Sequence, residues 1–167
     1  MYNQNTVLIT GTTSGIGLEL AKSYINMGYK VIGVDRRINE TLQSDKNFHQ
    51  EILNIVNINE VENLIKKIEG QKIITDIFIL NAGFSIYDNT KYFDVIKFKK
   101  SFDINFYGAV NFASMIDKYF SNKKIIFFSS VSRFIPNPSI LAYYSSKDLL
   151  FRLVKFLNMN NKKNTFK

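Results

Sequence analysis

Tyr143 and Lys147 stand four residues apart in Tyr143-Tyr144-Ser145-Ser146-Lys147, thirteen residues beyond Ser130 of Phe127-Phe128-Ser129-Ser130. On a helix, that spacing puts a phenol and an ammonium on one face. A phenol titrates near 10 when unperturbed, so exchanging a proton near neutrality requires lowering it by about 2–3 pH units, roughly 3–4 kcal/mol. The neighbouring cation favours the phenolate. Ser130, at the end of an apolar run, can hydrogen-bond a carbonyl or hydroxyl oxygen. Near the start of the chain lies Thr10-Gly11-Thr12-Thr13-Ser14-Gly15-Ile16-Gly17. Gly11 permits a sharp exit from a strand, Gly15 lets a pyrophosphate approach the backbone, and Gly17 allows a helix to pack closely on a sheet. The helix that follows offers unpaired N–H groups and a partial positive charge to an anion. A phosphate-binding turn and a tyrosine–lysine pair are the two halves that a hydride-transfer site needs. Tyr144 lies three residues from Lys147 and is a rival for the phenol.

Those groups meet only if the elements between them bring them together. Residues 6–10 read as a buried strand, and 15–27 as a helix with Ile16, Leu20, Tyr24 and Met27 at helical spacing, stopped by Gly28. Further strands are expected at 30–34, 49–53, 76–80 and 124–128, with helices over 57–69, 92–119 and 142–158. Val61, Leu64, Ile65 and Ile68 mark the apolar side of the second helix. Alternating strands and helices, with continuously apolar strands, predict an α/β fold: a doubly wound parallel (Rossmann) sheet in the order 3-2-1-4-5. No linker or repeat divides residues 1–167, so one domain is expected; Pro136 and Pro138 mark a loop after the fifth strand.

Composition narrows the chemistry. The 167 residues are 46% hydrophobic, enough for one substantial core and against disorder. With no cysteine, thiol nucleophiles, disulfides and cysteine metal sites are excluded, which fits a reducing cytoplasm. The single histidine, His49, is expected at a surface or strand end, so a Ser-His-Asp triad and a histidine metal site are not. No apolar stretch is long enough to span a bilayer, and residues 1–10 read as strand, not signal peptide. The net charge of +8 raises a nucleic-acid partner, but the lysines are spread along the chain and are expected on solvated surface.

Eighteen residues after Gly17, the second strand ends in Asp35. A carboxylate there can accept both adenosine ribose hydroxyls and repel a 2′-phosphate. Arg36 and Arg37 could instead hold that phosphate, whereas Ser14 brings no positive charge to the turn. NAD is therefore expected over NADP.

These residues resemble the short-chain dehydrogenase/reductase family of the Tyr-x-x-x-Lys type, over almost the whole chain. Thr10-Gly11-x-x-x-Gly15-x-Gly17 is similar to the family's cofactor turn, and Asn81-Ala82-Gly83 to its Asn-Ala-Gly element, a wall of the cofactor pocket. Ser130, Tyr143 and Lys147 are similar to the catalytic serine, tyrosine and lysine, and Asn105 to the asparagine of the fourth helix. The resemblance implies an NAD(P)-dependent oxidoreductase acting on a carbonyl or secondary alcohol, with Tyr143 as general acid/base. It implies that Ser130 holds the substrate oxygen, Lys147 the nicotinamide ribose, and Asn105 a water of a proton relay, while an oxidised nicotinamide adds to the charge favouring the phenolate. It places the cofactor against Gly11, Thr13, Ser14, Gly15, Ile16 and Gly17, then Asp35, Arg36 and Asn54, then Asn81, Ala82, Gly83, Tyr143 and Lys147. Helices four and five would form a homo-oligomer surface.

The chain also departs from that pattern. Asn54 replaces an acidic residue beside the adenine, and Arg133 stands where a glycine often follows the serine. The family's substrate lid and last strands are expected to be missing, which would leave the fifth strand as an uncovered apolar edge. A catalytically impaired dinucleotide-binding module, or a truncated pseudoenzyme, is the alternative to an active oxidoreductase.

Overall fold

All five residues of strand β1 (Thr6–Thr10) are buried, as a central strand covered on both faces requires. In the computed structural model, residues 5–87, 94–134, 137–161 and 163–167 are described. Tyr92 at the expected start of the fourth helix, Pro136 and the side chain of Arg133 lie outside the described residues. After β1 come α1 (Gly15–Asn26), β2 (Lys30–Asp35), β3 (Phe48–Ile52), α2 (Ile58–Gly70) and β4 (Thr75–Leu80). A long helical segment leads to β5 (Lys124–Phe127), followed by α5 (Leu141–Asn160) and β6 (Thr165–Phe166). The strands are all parallel, in the order β3-β2-β1-β4-β5-β6. This is the expected doubly wound sheet with one strand more.

Two cores hold the sheet. On one face Leu8, Ile32, Phe78 and Leu80 pack against Val61, Leu64, Ile65 and Ile68 of α2, with Phe112, Ile116 and Leu150 closing the layer. The four α2 residues form the apolar stripe read from their spacing. On the other face Val7, Ile9, Val31 and Ile79 pack against Ala21 of α1, while Ile77, Ile126 and Phe128 are only partly buried.

The fourth helix differs from its expected form. It is α3 (Val95–Phe102), then a π-helical turn over Asp103–Tyr107, then α4 (Gly108–Tyr119). The wide turn carries Asn105 fully into the interior, where its carboxamide clamps the backbone of Phe84: Oδ1 accepts from Phe84 N–H at 2.8 Å and Nδ2 donates to Phe84 O at 2.9 Å. Such wide turns interrupt α-helices mainly where a side chain must be re-aimed.

The fifth strand is not an open edge, which corrects the expectation of missing last strands. Thr165 and Phe166 pair with Lys124 and Ile125, and Phe166 is 2% exposed, its ring 6.4 Å from that of Phe127. On the outer side, the Asn158 carboxamide satisfies both backbone groups of Phe166, accepting from its N–H at 3.0 Å and donating to its carbonyl at 2.6 Å. Asn164 fixes the approach, accepting from Lys123 N–H and donating to Asp117 and to Phe120 O. An asparagine thus closes an edge that could otherwise pair with another strand.

A parallel sheet also collects the starts of its strands. Lys30 and Lys124 open β2 and β5, and Lys46, Lys72 and Lys163 lie just before β3, β4 and β6. Lysines dispersed along the chain are gathered by the topology at the edge opposite the glycine turn.

Phe166→Ala removes a buried ring from the last strand and should cost about 3 kcal/mol in urea unfolding. A loss below about 1 kcal/mol would show that β6 contributes little to the sheet.

Candidate active site

A cavity of about 450 Å³ runs along the carboxyl ends of the strands. At its centre is the turn between β1 and α1. Gly15 has φ +57, the left-handed conformation that glycine adopts without strain. A methyl group on Gly17 would be driven into the carbonyl of Gly11 and would crowd the Asn81 amide, so this glycine serves packing and does not face the cavity. Asn81 braces the turn, donating to Thr10 O at 3.1 Å and Gly11 O at 3.3 Å, while Ala82 N–H donates to Thr10 Oγ1 at 3.0 Å.

The start of α1 is left open. Helices α2 and α3 are capped by Asn57 and Asp94, whose side chains accept backbone N–H groups. Ser14, at the same position of α1, makes no such bond, and the first turn holds no acidic residue. The free N–H groups and the positive end of the helix therefore face a cavity lined by Thr13, Ser14, Gly15 and Ile16. That donor set fits a pyrophosphate.

At one end of the cavity lie Asp35, Arg36, Arg37 and Asn54. The Asp35 carboxylate is heavily engaged by its own chain. Oδ2 accepts from the Thr13 N–H at 3.2 Å and the Thr13 hydroxyl at 2.8 Å, and Oδ1 from the Arg36 and Arg37 N–H groups at 2.7 and 3.3 Å. Four donors match the lone-pair sites a carboxylate offers. Arg37 closes the corner, its guanidinium donating to Thr13 Oγ1 at 3.2 Å. Asn54 accepts from the Val56 N–H with its side chain.

At the other end stand Tyr143 and Lys147, with Ala82, Gly83, Phe128 and Ser129 around them. Lys147 is 3% exposed, and its Nζ donates to Phe128 O at 2.7 Å and sits 5.9 Å from the centre of the Tyr143 ring. Burial lowers its ammonium from 10.5 to about 8, which leaves it mostly protonated at neutral pH. Tyr144 is not among the residues facing the cavity and lies beside Arg152. Ser130 is partly buried and is not among the residues that line the cavity; its neighbour Ser129 lines it and donates to Lys147 O at 3.0 Å.

Asn105 lies behind this wall. Besides clamping Phe84, its Nδ2 donates to Ser101 Oγ at 2.9 Å and Ser146 Oγ at 3.3 Å, and the Ser146 hydroxyl donates to Tyr143 O at 2.7 Å. The side chain thus ties the loop after β4 to the helix that carries Tyr143 and Lys147. Of the expected site residues, the cavity brings together all but Gly17, Asn105 and Ser130. Arg37, raised beside Arg36 as a possible phosphate partner, also lines the wall; Phe84 and Ser129 join it without having been among the expected contacts, and their adjacency to Gly83 and Ser130 is the signal that could have found them.

Holding the Lys147 ammonium out of water costs about 3 kcal/mol at neutral pH. The folded value lies below the unfolded one, so the whole cost is present below pH 8 and is relieved as pH rises towards 10.5. Lys147→Met should therefore be about 1–2 kcal/mol more stable than the native chain at pH 7, after losing the bond to Phe128 O, and this advantage should shrink by pH 10. Urea titrations at both pH values decide it; a variant less stable at pH 7 would contradict the buried charge.

Comparison with known proteins gives this geometry a lineage. The sequence model of the short chain dehydrogenase family matches residues 5–165. The dehydrogenase/reductase SDR family protein 7-like of Dictyostelium discoideum is 28% identical, over 87% of this chain and 51% of its own length. The 3-oxoacyl-(acyl-carrier-protein) reductase FabG of Buchnera aphidicola is 34% identical, over 93% and 66% respectively. The chain thus spans half to two thirds of the length of these relatives. A crystal structure of a short chain dehydrogenase from Leptospira borgpetersenii with bound NAD+ superposes with a TM-score of 0.86 at 24% identity, covering 92% of this chain and 64% of that one. That likeness is one of fold. The family match extends from the first strand to the last and takes in both ends of the cavity; the chain belongs to the short chain dehydrogenase family.

Proposed function

We propose that the chain binds a nicotinamide dinucleotide along the cavity and transfers a hydride between it and a carbonyl or secondary alcohol. The observation that carries this reading is the sharing of one cavity by an uncapped helix start and by Tyr143 with Lys147. The bound nicotinamide supplies or accepts the hydride. The chain's own groups do the rest: N–H groups at the start of α1 hold the pyrophosphate, Arg36 and Asn54 the adenosine together with Asp35, which exchanges one of its own-chain donors for a ribose hydroxyl, and Asn81, Ala82 and Gly83 form a wall. Lys147 holds the nicotinamide ribose and, as a cation, favours the phenolate form of Tyr143. Tyr143 gives its proton to the carbonyl oxygen in reduction and takes it back in oxidation, with Ser130 hydrogen-bonding that oxygen. Asn105 supports the relay from behind the wall, through Ser146 and the Tyr143 backbone.

NAD is favoured over NADP because the Asp35 carboxylate repels a 2′-phosphate, although Arg36 and Arg37 temper that repulsion. Val95, Ile96, Tyr107, Leu149, Phe156 and Met159 are exposed on the α3–α4 and α5 segments, which suits a homo-oligomer formed through those helices. No helix among the described residues is long and apolar enough to cross a membrane. A cytoplasmic site and the lack of a nucleic-acid partner belong to the same proposal.

A second reading, cofactor binding without turnover, is favoured by one observation. Among the described residues, none after Lys147 lines the cavity, so the substrate side is thinly built.

Calorimetry with NADH, and with NADPH as comparator, is expected to show binding of NADH. Tyr143→Phe should lower carbonyl reduction by at least about a hundredfold while leaving cofactor affinity nearly unchanged. Turnover that survives the substitution would remove Tyr143 as proton donor, and binding of neither nucleotide would remove both readings.

A further inference from the structure

Asn39 lies in the connection between β2 and β3 and does not face the cavity, yet it is 1% exposed and all its side-chain polar atoms are bonded to backbone. Its Nδ2 donates to Thr12 O at 2.7 Å, inside the glycine turn. Its Oδ1 accepts from the N–H groups of Thr41 at 3.1 Å and Leu42 at 2.9 Å. Its own N–H donates to Gln50 Oε1 at 2.7 Å, and Gln50 Nε2 donates to Arg37 O at 2.5 Å. One carboxamide thus joins the cofactor turn to the β2–β3 connection, and Gln50 ties the same connection down to β3.

The segment held between these ties is Arg36-Arg37. Both arginines line the cavity and both are exposed, so their side chains draw no position from packing. Apart from Leu42, the connection offers no hydrophobic residue to the core. Where apolar anchoring is that thin, hydrogen bonds decide where the backbone runs. A guanidinium can discriminate a phosphate only if its backbone is held at a fixed distance from the site.

We propose that Asn39 is a positioning residue that fixes the Arg36–Arg37 segment against the glycine turn and so sets how the adenosine end discriminates a 2′-phosphate from a ribose hydroxyl. This rests on the dinucleotide-binding reading above. Asn39→Ala releases the Thr12 carbonyl and the turn at Thr41 together. The two arginines then sample more positions, and the ligand that depends on them loses most. A residue that merely supports folding would weaken NADH and NADPH alike.

The test is calorimetry of the native chain, Asn39→Ala and Gln50→Ala with NADH and NADPH. In Asn39→Ala, NADPH affinity is expected to fall about tenfold more than NADH affinity. Gln50→Ala, which keeps the Asn39–Thr12 bond and alters a half-buried residue of β3, should shift the ratio in the same direction by a smaller factor, and it keeps the test open if Asn39→Ala fails to fold. In a chain carrying Arg36→Ala and Arg37→Ala, adding Asn39→Ala should leave the ratio unmoved. An unchanged ratio in the single variants overturns the proposal, as does a shift that persists without the arginines. NADH binding by the native chain with no measurable NADPH binding would also overturn it while leaving the proposed function intact. Binding of neither nucleotide would sink that function itself.

Discussion

Six strands that all run the same way must deliver their carboxyl ends to one edge, and the rest of the molecule follows from that constraint. The glycine turn after β1, the Asp35 corner after β2, the Asn81-Ala82-Gly83 wall after β4 and the Phe128–Ser129 segment after β5 are far apart in sequence and adjacent in space. Helix α5 then supplies Tyr143 and Lys147 to the same edge, beside Ile16 of α1 and Ile104 of the π-helical turn. The two packed cores support this edge from both faces of the sheet, which is what a site built from many separate segments requires.

Burial is costly at one point. A lysine held 3% exposed, with a carbonyl oxygen as its fixed partner, keeps its charge at neutral pH but holds its proton less tightly than it would in water. No ion pair offsets that burial among the described residues. Positions of this kind are where a fold gives up stability for chemistry. The neighbouring Asn105 network shows the same economy: a π-helical turn is tolerated so that one buried carboxamide can fix Phe84, Ser101 and Ser146 together.

Much of this was legible in the residues. Short strand-like runs alternating with helical periodicity located five strands within a residue or two, and the α2 stripe of Val61, Leu64, Ile65 and Ile68 gave a helix and its buried face. The Tyr143–Lys147 spacing and the glycine turn survived the move into three dimensions because both are local. What stayed hidden depends on distant partners. The sixth strand is two residues long and is held by its pairing with β5, the burial of Phe166 and the bonds from Asn158 and Asn164, so no periodicity announces it. The π-helical turn at Asp103–Tyr107 answers to Phe84, twenty-one residues from Asn105, and its own residues read as ordinary helix. Asp35 looked like an open acceptor, but Thr13, twenty-two residues away, claims one of its oxygens and the Arg36 and Arg37 N–H groups the other. Lys30, Lys46, Lys72, Lys124 and Lys163 are far apart in sequence, and only the parallel topology brings them to one edge.

The central claim is geometric: one dinucleotide spans the cavity from the Asp35 corner to Tyr143. A crystal structure of the chain with NADH tests it directly. The account predicts a pyrophosphate on the N–H groups at the start of α1 and a nicotinamide ring beside Tyr143 and Lys147. A nucleotide bound elsewhere, or one whose nicotinamide turns away from the Tyr143 hydroxyl, would contradict it.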